Sequence, residues 1–166
     1  MITREEENFL KTIPTFQKVF VRPFDSKTKE VAEKIISKVK DIFSEIRILH
    51  MGASALGISG QNDIDIYILC SESDFDKYIP GLEKVFGKRD KKSVIQWGFK
   101  KNRFDVELYL TDPNTPSMQR QIKVFKILKS NKELLKEYEK IKESMNGKSF
   151  REYQRKKYEF YNRILE

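Results

Sequence analysis

The sequence predicts an α+β fold: a small mixed β-sheet with packed helices and a C-terminal helical tail. Three observations predict it. Residues 46–69 and 94–110 carry short apolar runs and alternation of apolar with polar residues, the marks of buried and half-buried strands. Residues 27–43 and 74–86 place their apolar residues at helical spacing. After Pro116 the apolar residues fall only in helical stripes. A β/α half followed by helices is the order of an α+β architecture.

The elements follow in order. Residues 4–12 read as a short polar helix or an arm, with Phe9, Leu10 and Ile13 available to dock on a core. Phe16 to Phe24 alternates and predicts a strand ended by Pro23. Ser26 is the expected N-cap of a helix from about Lys27 to Phe43, with Val31, Ile35, Ile36, Val39, Ile42 and Phe43 on its apolar face. Ile46, Ile48 and Leu49 form an apolar strand that leads into a turn of small residues, Gly52, Ser54, Gly57, Ser59 and Gly60. A second apolar strand runs from Ile64 to Leu69, with Asp63 and Asp65 at its start. Asp74 to Phe86 predicts a helix that Pro80 kinks or divides. Val94–Phe99 and Phe104–Leu110 are spaced for an antiparallel hairpin. Pro113, Asn114 and Pro116 break the chain. Helical stripes follow to Ile141, a break at Met145-Asn146-Gly147, and a last helix to Leu165. The expected organisation is one domain over residues 1–166, with a core at about 14–112 and a helical part at about 114–166.

Composition bounds the function classes. The chain has 39% hydrophobic and 35% charged residues, the balance of a globular protein with a heavily charged surface. No apolar run approaches the roughly 20 residues of a membrane span. The N-terminus is acidic and has no following apolar region, so neither a secretory signal nor a membrane partner is expected. The single Cys70 has no internal disulfide partner, which fits a cytoplasmic location. His50 is the only histidine, and no zinc-spaced Cys/His cluster exists. The net charge of +8 favours anionic partners in general, but a lysine-rich solvated surface is the preferred reading of it.

The chemistry concentrates between His50 and Cys70. Strand side chains alternate, so Asp63 and Asp65 project from one face. Adjacent like charges are costly unless a cation sits between them. Paired carboxylates suit Mg²⁺, which keeps room for substrate phosphates. The glycines of the preceding turn let backbone N–H groups approach an anion, and Ser54 adds a hydroxyl. The stretch reads as a phosphate cradle beside a metal site. A third acid is available on the alternating strand Phe104–Leu110, where Asp105 and Glu107 share the polar face. His50 reads as a hydrogen-bonded structural residue, and Trp97 and Tyr109 as sheet packing or as walls of a base pocket.

These motifs resemble the DNA polymerase β-type nucleotidyltransferase superfamily: a Gly-x-Ser turn, then Asp63-Ile64-Asp65-Ile66, then an acid on a later strand. The superfamily turn begins Gly-Ser or Gly-Gly, whereas this one begins Gly52-Ala53-Ser54, with the serine displaced by one position. A narrower resemblance covers most of the chain. His50-Met51-Gly52, with Tyr138, Lys142, Tyr153, Lys157 and Ile164-Leu165 in the tail, is similar to the GrpB-like nucleotidyltransferases. Many of those keep only the aspartate corresponding to Asp65. This chain has both.

The resemblance implies a Mg²⁺-dependent nucleotidyltransferase, two metal ions with Mn²⁺ as a possible substitute, and an NTP donor, with ATP and transfer of AMP expected. Asp63, Asp65 and Glu107 would be the metal-binding and catalytic acids, with Asp105 as the alternative third acid. Glu107 is preferred because Val106-Glu107-Leu108 matches the apolar-acid-apolar third motif. Gly52, Ala53, Ser54 and Gly57 would cradle phosphates, and Lys142 and Lys157 would neutralise them. The acceptor stays open between a small molecule, a protein and an RNA. A non-catalytic module that binds a nucleotide, a phospholigand or a protein is the rival reading, and an RNA- or tRNA-end-modifying protein the third.

Overall fold

The computed structural model describes residues 1–166. Its centre is a four-stranded sheet of order β1-β2-β4-β3, with β1 at Arg47–Met51, β2 at Asp63–Leu69, β3 at Ile95–Lys101 and β4 at Phe104–Thr111. β1 pairs antiparallel with β2, β2 parallel with β4, and β4 antiparallel with β3. The sheet is therefore mixed, and the β3–β4 hairpin forms as expected.

Alternation decides what each face buries. Ile64, Ile66 and Ile68 of β2 and Val106, Leu108 and Leu110 of β4 all lie at 2% exposure or less. They pack on Val31, Ile35 and Val39 of helix α2 (Lys27–Ile42) and on Leu82 of helix α4 (Phe75–Phe86). The opposite face carries Asp63, Asp65 and Tyr67 beside Asp105, Glu107 and Tyr109. Helices α5 (Pro116–Ser130), α6 (Lys132–Ser144) and α7 (Phe150–Leu165) stand over that side. Their own contact is a separate cluster that joins Val124, Leu128, Tyr138 and Phe160 to Ala53 and Ile58. The five-residue helix α3, Gly52–Leu56, links β1 to the loop before β2.

One local expectation is corrected and two are sharpened. Phe16 to Phe24 joins no sheet and makes only isolated bridges, Lys18 with Ser149 and Arg22 with Gly60. Val19 donates its N–H to the Lys148 carbonyl at 3.0 Å, and Arg22 and Gly60 exchange backbone hydrogen bonds at 2.7 and 3.0 Å. Its partners are turn residues, so it laces the helical tail to the α3 loop. Ser26 is the N-cap residue of α2, as expected, but its side chain makes no capping hydrogen bond. Asp25 does so instead, its carboxylate accepting the Lys27 N–H at 3.0 Å. The predicted helix around Pro80 is one continuous element, α4, after a short turn of 3₁₀ helix at Glu72–Asp74.

Helix α1 (Arg4–Thr12) is real, and its capping box with Thr3 and Glu6 explains its start. It lies on α7. Arg155 grips the Glu7 carboxylate through two hydrogen bonds of 2.8 and 2.9 Å, and Arg151 donates to the Ile13 carbonyl. Leu10 and Ile13 are buried beneath it, while Phe9 is half exposed.

Candidate functional site

The polar sheet face and the helical tail enclose a cleft of about 690 Å³. Asp63 and Asp65 line it from β2, Gly52 and Ala53 from α3, and Lys142 and Lys157 from α6 and α7. Six residues singled out from the sequence thus meet in one space, although they lie up to 105 positions apart.

Register explains the acids. Asp65 stands opposite Glu107 and Asp63 opposite Asp105 in the parallel β2–β4 pair. The two sequence candidates for a third acid then have different environments. Glu107 accepts a hydrogen bond of 2.5 Å from the buried Gln96 side chain. Asp105 has a side chain 62% exposed and pairs with Lys100 at 2.8 Å. Neither lines the cleft, and the carboxylates do not converge on a single three-ligand cluster.

The electrostatics mark Asp65. Burial, and then the charge of Asp63, push its carboxyl up to about 7, while Lys157 works in the opposite direction. Burial raises the Glu107 carboxyl as well. Gly52 has φ +80°, a backbone that side chains rarely adopt, and a Cβ there would collide with the Asp65 carboxylate. The glycine therefore lets the chain pass directly against the acid.

The cradle is smaller than the sequence suggested. Ser54 is buried, and its hydroxyl meets His50 Nε2 at 3.0 Å. It lies outside the cleft, in a narrow pocket shared with Phe24, Asp25 and Asp63. Burial, followed by Lys29, depresses His50 to about 4, so the ring is neutral and serves as a structural partner. Gly57 ends α3 with φ +73° and does not line the cleft. A turn drawn in one dimension lists its residues together, whereas α3 coils them onto different sides.

The lysines are held differently. Lys142 is buried, donates to the Tyr153 hydroxyl at 2.8 Å and lies 5.1 Å from the centre of the Tyr138 ring. Glu139 and Glu143 do not pair with it but accept hydrogen bonds from Ser59, each at 2.8 Å. Lys157 faces the Tyr161 ring at 5.6 Å, and electrostatic attraction to Tyr161, Tyr153 and Asp65 holds its ammonium above the ordinary lysine range despite burial. Lys123 and Lys126 are exposed on α5. Arg103 pairs with Asp25, and Trp97 is in the core, donating to the Gly87 carbonyl at 2.9 Å.

A model of the GrpB protein family matches residues 18–166. The chain belongs to the GrpB family. GrpB from Enterococcus faecalis has the same fold, with a TM-score of 0.63 at 17% identity, over 89% of this chain and 100% of that one. The Cid1 poly(U) polymerase, solved with Mg and 3'-dATP bound, aligns at 14% identity over 83% of this chain and 46% of its own, with a TM-score of 0.46. A cytoplasmic RNA terminal U-transferase aligns with a TM-score of 0.40 at 15% identity, over 82% of this chain and 46% of that one. No curated protein matches the chain.

Tyr109 lines the cleft, one of the two roles its sequence position suggested, whereas Tyr67, Arg120 and Phe9 escaped the sequence reading as cleft residues. Tyr67 stacks on Tyr109 with ring centres 4.8 Å apart, one alternation beyond Asp65 and Glu107. That i+2 spacing on both strands was the available signal. Arg120 and Phe9 also line the cleft. Nothing in their local pattern distinguishes them from a solvated helix face.

Proposed function

We propose that the chain is a Mg²⁺-dependent nucleotidyltransferase that moves an NMP, with ATP the expected donor, to an acceptor hydroxyl. One observation carries the reading: two adjacent carboxylates, one pushed up to about 7, face two lysines across a cleft of about 690 Å³. Such an acid pair favours a divalent cation, which would remove the cost of holding both charges together. The donor set is oxygen only, which suits Mg²⁺ or Mn²⁺.

Asp63 and Asp65 would hold the metal, and Glu107 would reach it after a change of rotamer that frees it from Gln96. Bound Mg²⁺ supplies Lewis acidity at the α-phosphate and charge for the departing pyrophosphate. Lys142, oriented by Tyr153, and Lys157 neutralise the β- and γ-phosphates. The Gly52 and Ala53 backbone lets the phosphates approach the acids. The stacked Tyr67 and Tyr109 wall the cleft beside Asp65 and exclude water. The acceptor hydroxyl gives up its proton to water as its oxygen bonds to the α-phosphorus, the bond to the bridging oxygen breaks, and pyrophosphate leaves with the electron pair.

The test is titration of the protein with each NTP, with and without Mg²⁺, beside the Asp63→Asn/Asp65→Asn variant. Mg²⁺-dependent binding in the parent and its loss in the variant are expected. Binding that the variant retains would sink the assignment. A second reading, a binding module of the same fold without turnover, is favoured by the capture of Glu107 by Gln96. Release of pyrophosphate across an acceptor panel separates the two.

A further inference from the structure

Glu6 is a charged side chain at 8% exposure, and it is supplied by α1, which lies outside the residues matched by the family model. Its carboxylate sits in a built anion site. Arg120, a cleft residue on α5, donates to Oε1 at 2.8 Å. Asn162 on α7 donates from its amide to Oε2 at 2.9 Å and accepts from the same Arg120 at 2.5 Å. The Thr3 N–H, from the cap of α1 itself, completes the set at 2.8 Å. Three residues further along, Phe9 of the same helix lines the cleft and meets Tyr158 edge-on, with ring centres 6.4 Å apart.

The guanidinium fork and amide that hold this carboxylate are the groups that would hold a phosphate or a ligand carboxylate. The helix that brings Glu6 is nine residues long, too short to persist by itself in water. It stays by its contacts with α5 and α7.

We propose that Arg120 and Asn162 form an anion subsite of the cleft, filled at rest by Glu6, and that a phosphate or carboxylate group of the bound ligand takes the place of Glu6 and loosens α1. The inference shares with the proposed function only an anionic ligand in the cleft, and needs neither metal nor turnover. Arg120 then becomes a third cleft cation alongside Lys142 and Lys157. The group it takes sits toward α1, so the subsite selects ligands long enough to reach from the acids to the N-terminal helix.

Inorganic tripolyphosphate without Mg²⁺ is the probe, read by calorimetry and by amide hydrogen exchange of residues 4–12. In the unmodified protein, saturation should speed exchange in α1. Glu6→Gln should tighten binding by about fivefold to tenfold, since a neutral amide competes less well for the guanidinium. Glu6→Gln/Arg120→Gln should lose that gain. Bound tripolyphosphate with α1 exchange unchanged, or Glu6→Gln with unchanged affinity, would overturn the subsite, and so would an absence of binding. The exchange arm needs no substitution, so a variant that folds poorly does not decide the matter. The Mg²⁺ titration with Asp63→Asn/Asp65→Asn fails or succeeds independently, because the probe is used without metal.

Discussion

Strands β2 and β4 present two faces built from the same fifteen residues, and the faces live under opposite rules. Toward α2 and α4, Ile64, Ile66, Ile68, Val106, Leu108 and Leu110 fill a dry core. Toward α5, α6 and α7, Asp63, Asp65, Glu107, Tyr67 and Tyr109 stand one residue out of phase on the same backbone. The first face adds stability through apolar burial. The second gives some of it up, since burial and a neighbouring charge raise the Asp65 carboxyl. Alternation lets one core strand hold an electrostatically costly carboxylate with no loop between them.

The largest way to break this comparison is from the core side. Leu108→Ala deletes a fully buried side chain at the centre of the sheet and should cost about 2–5 kcal/mol in denaturant unfolding. A cost below about 1 kcal/mol would mean that the face is not packed as described. Because Leu108 neighbours Glu107 on β4, nucleotide binding should weaken with it.

Asp65→Asn tests the other face, and the sign should reverse. An acid raised from 3.8 to about 7 binds its proton more tightly when folded, so stability falls as pH rises between those values and is flat above. The amide removes that penalty. The variant should therefore be more stable than the parent at pH 8, by on the order of 2 kcal/mol, and no more stable at pH 3.5. His50 runs the opposite way. Its lowered pKa of about 4 contributes stability that is present above 6.5 and lost as pH falls toward 4. In the parent the two slopes oppose each other across pH 4–6.5. In Asp65→Asn only the raised Glu107 carboxyl still opposes His50, so Tm should fall more steeply with falling pH than in the parent. A variant with the parent's flat profile would contradict both assignments.

The smallest effect sharpens the choice of third acid. Lys100 and Asp105 are 72% and 62% exposed, so their ion pair is screened by solvent. Asp105→Asn should change stability by less than about 0.5 kcal/mol and leave Mg²⁺-dependent nucleotide binding intact. Glu107→Gln should weaken that binding. The reverse ranking would move the third carboxylate to Asp105.

The sequence by itself determined the four strands of the sheet, the helices after Pro116 and the shared face of Asp63 and Asp65, because alternation and helical spacing are local properties of the chain. The family followed from the same local motifs. What only the tertiary structure decided is which of these residues meet. It turned Ser54 toward His50 and out of the cleft, because five residues of helix place neighbours on different sides. It drew the segment before α2 to the turns at Gly60 and Lys148, away from the sheet. It tied Glu107 to Gln96 through cross-strand register, and it set Glu6 against Arg120 across 114 positions. Such pairs depend on the docking of separate elements, and neither residue of a pair carries a local mark of its partner.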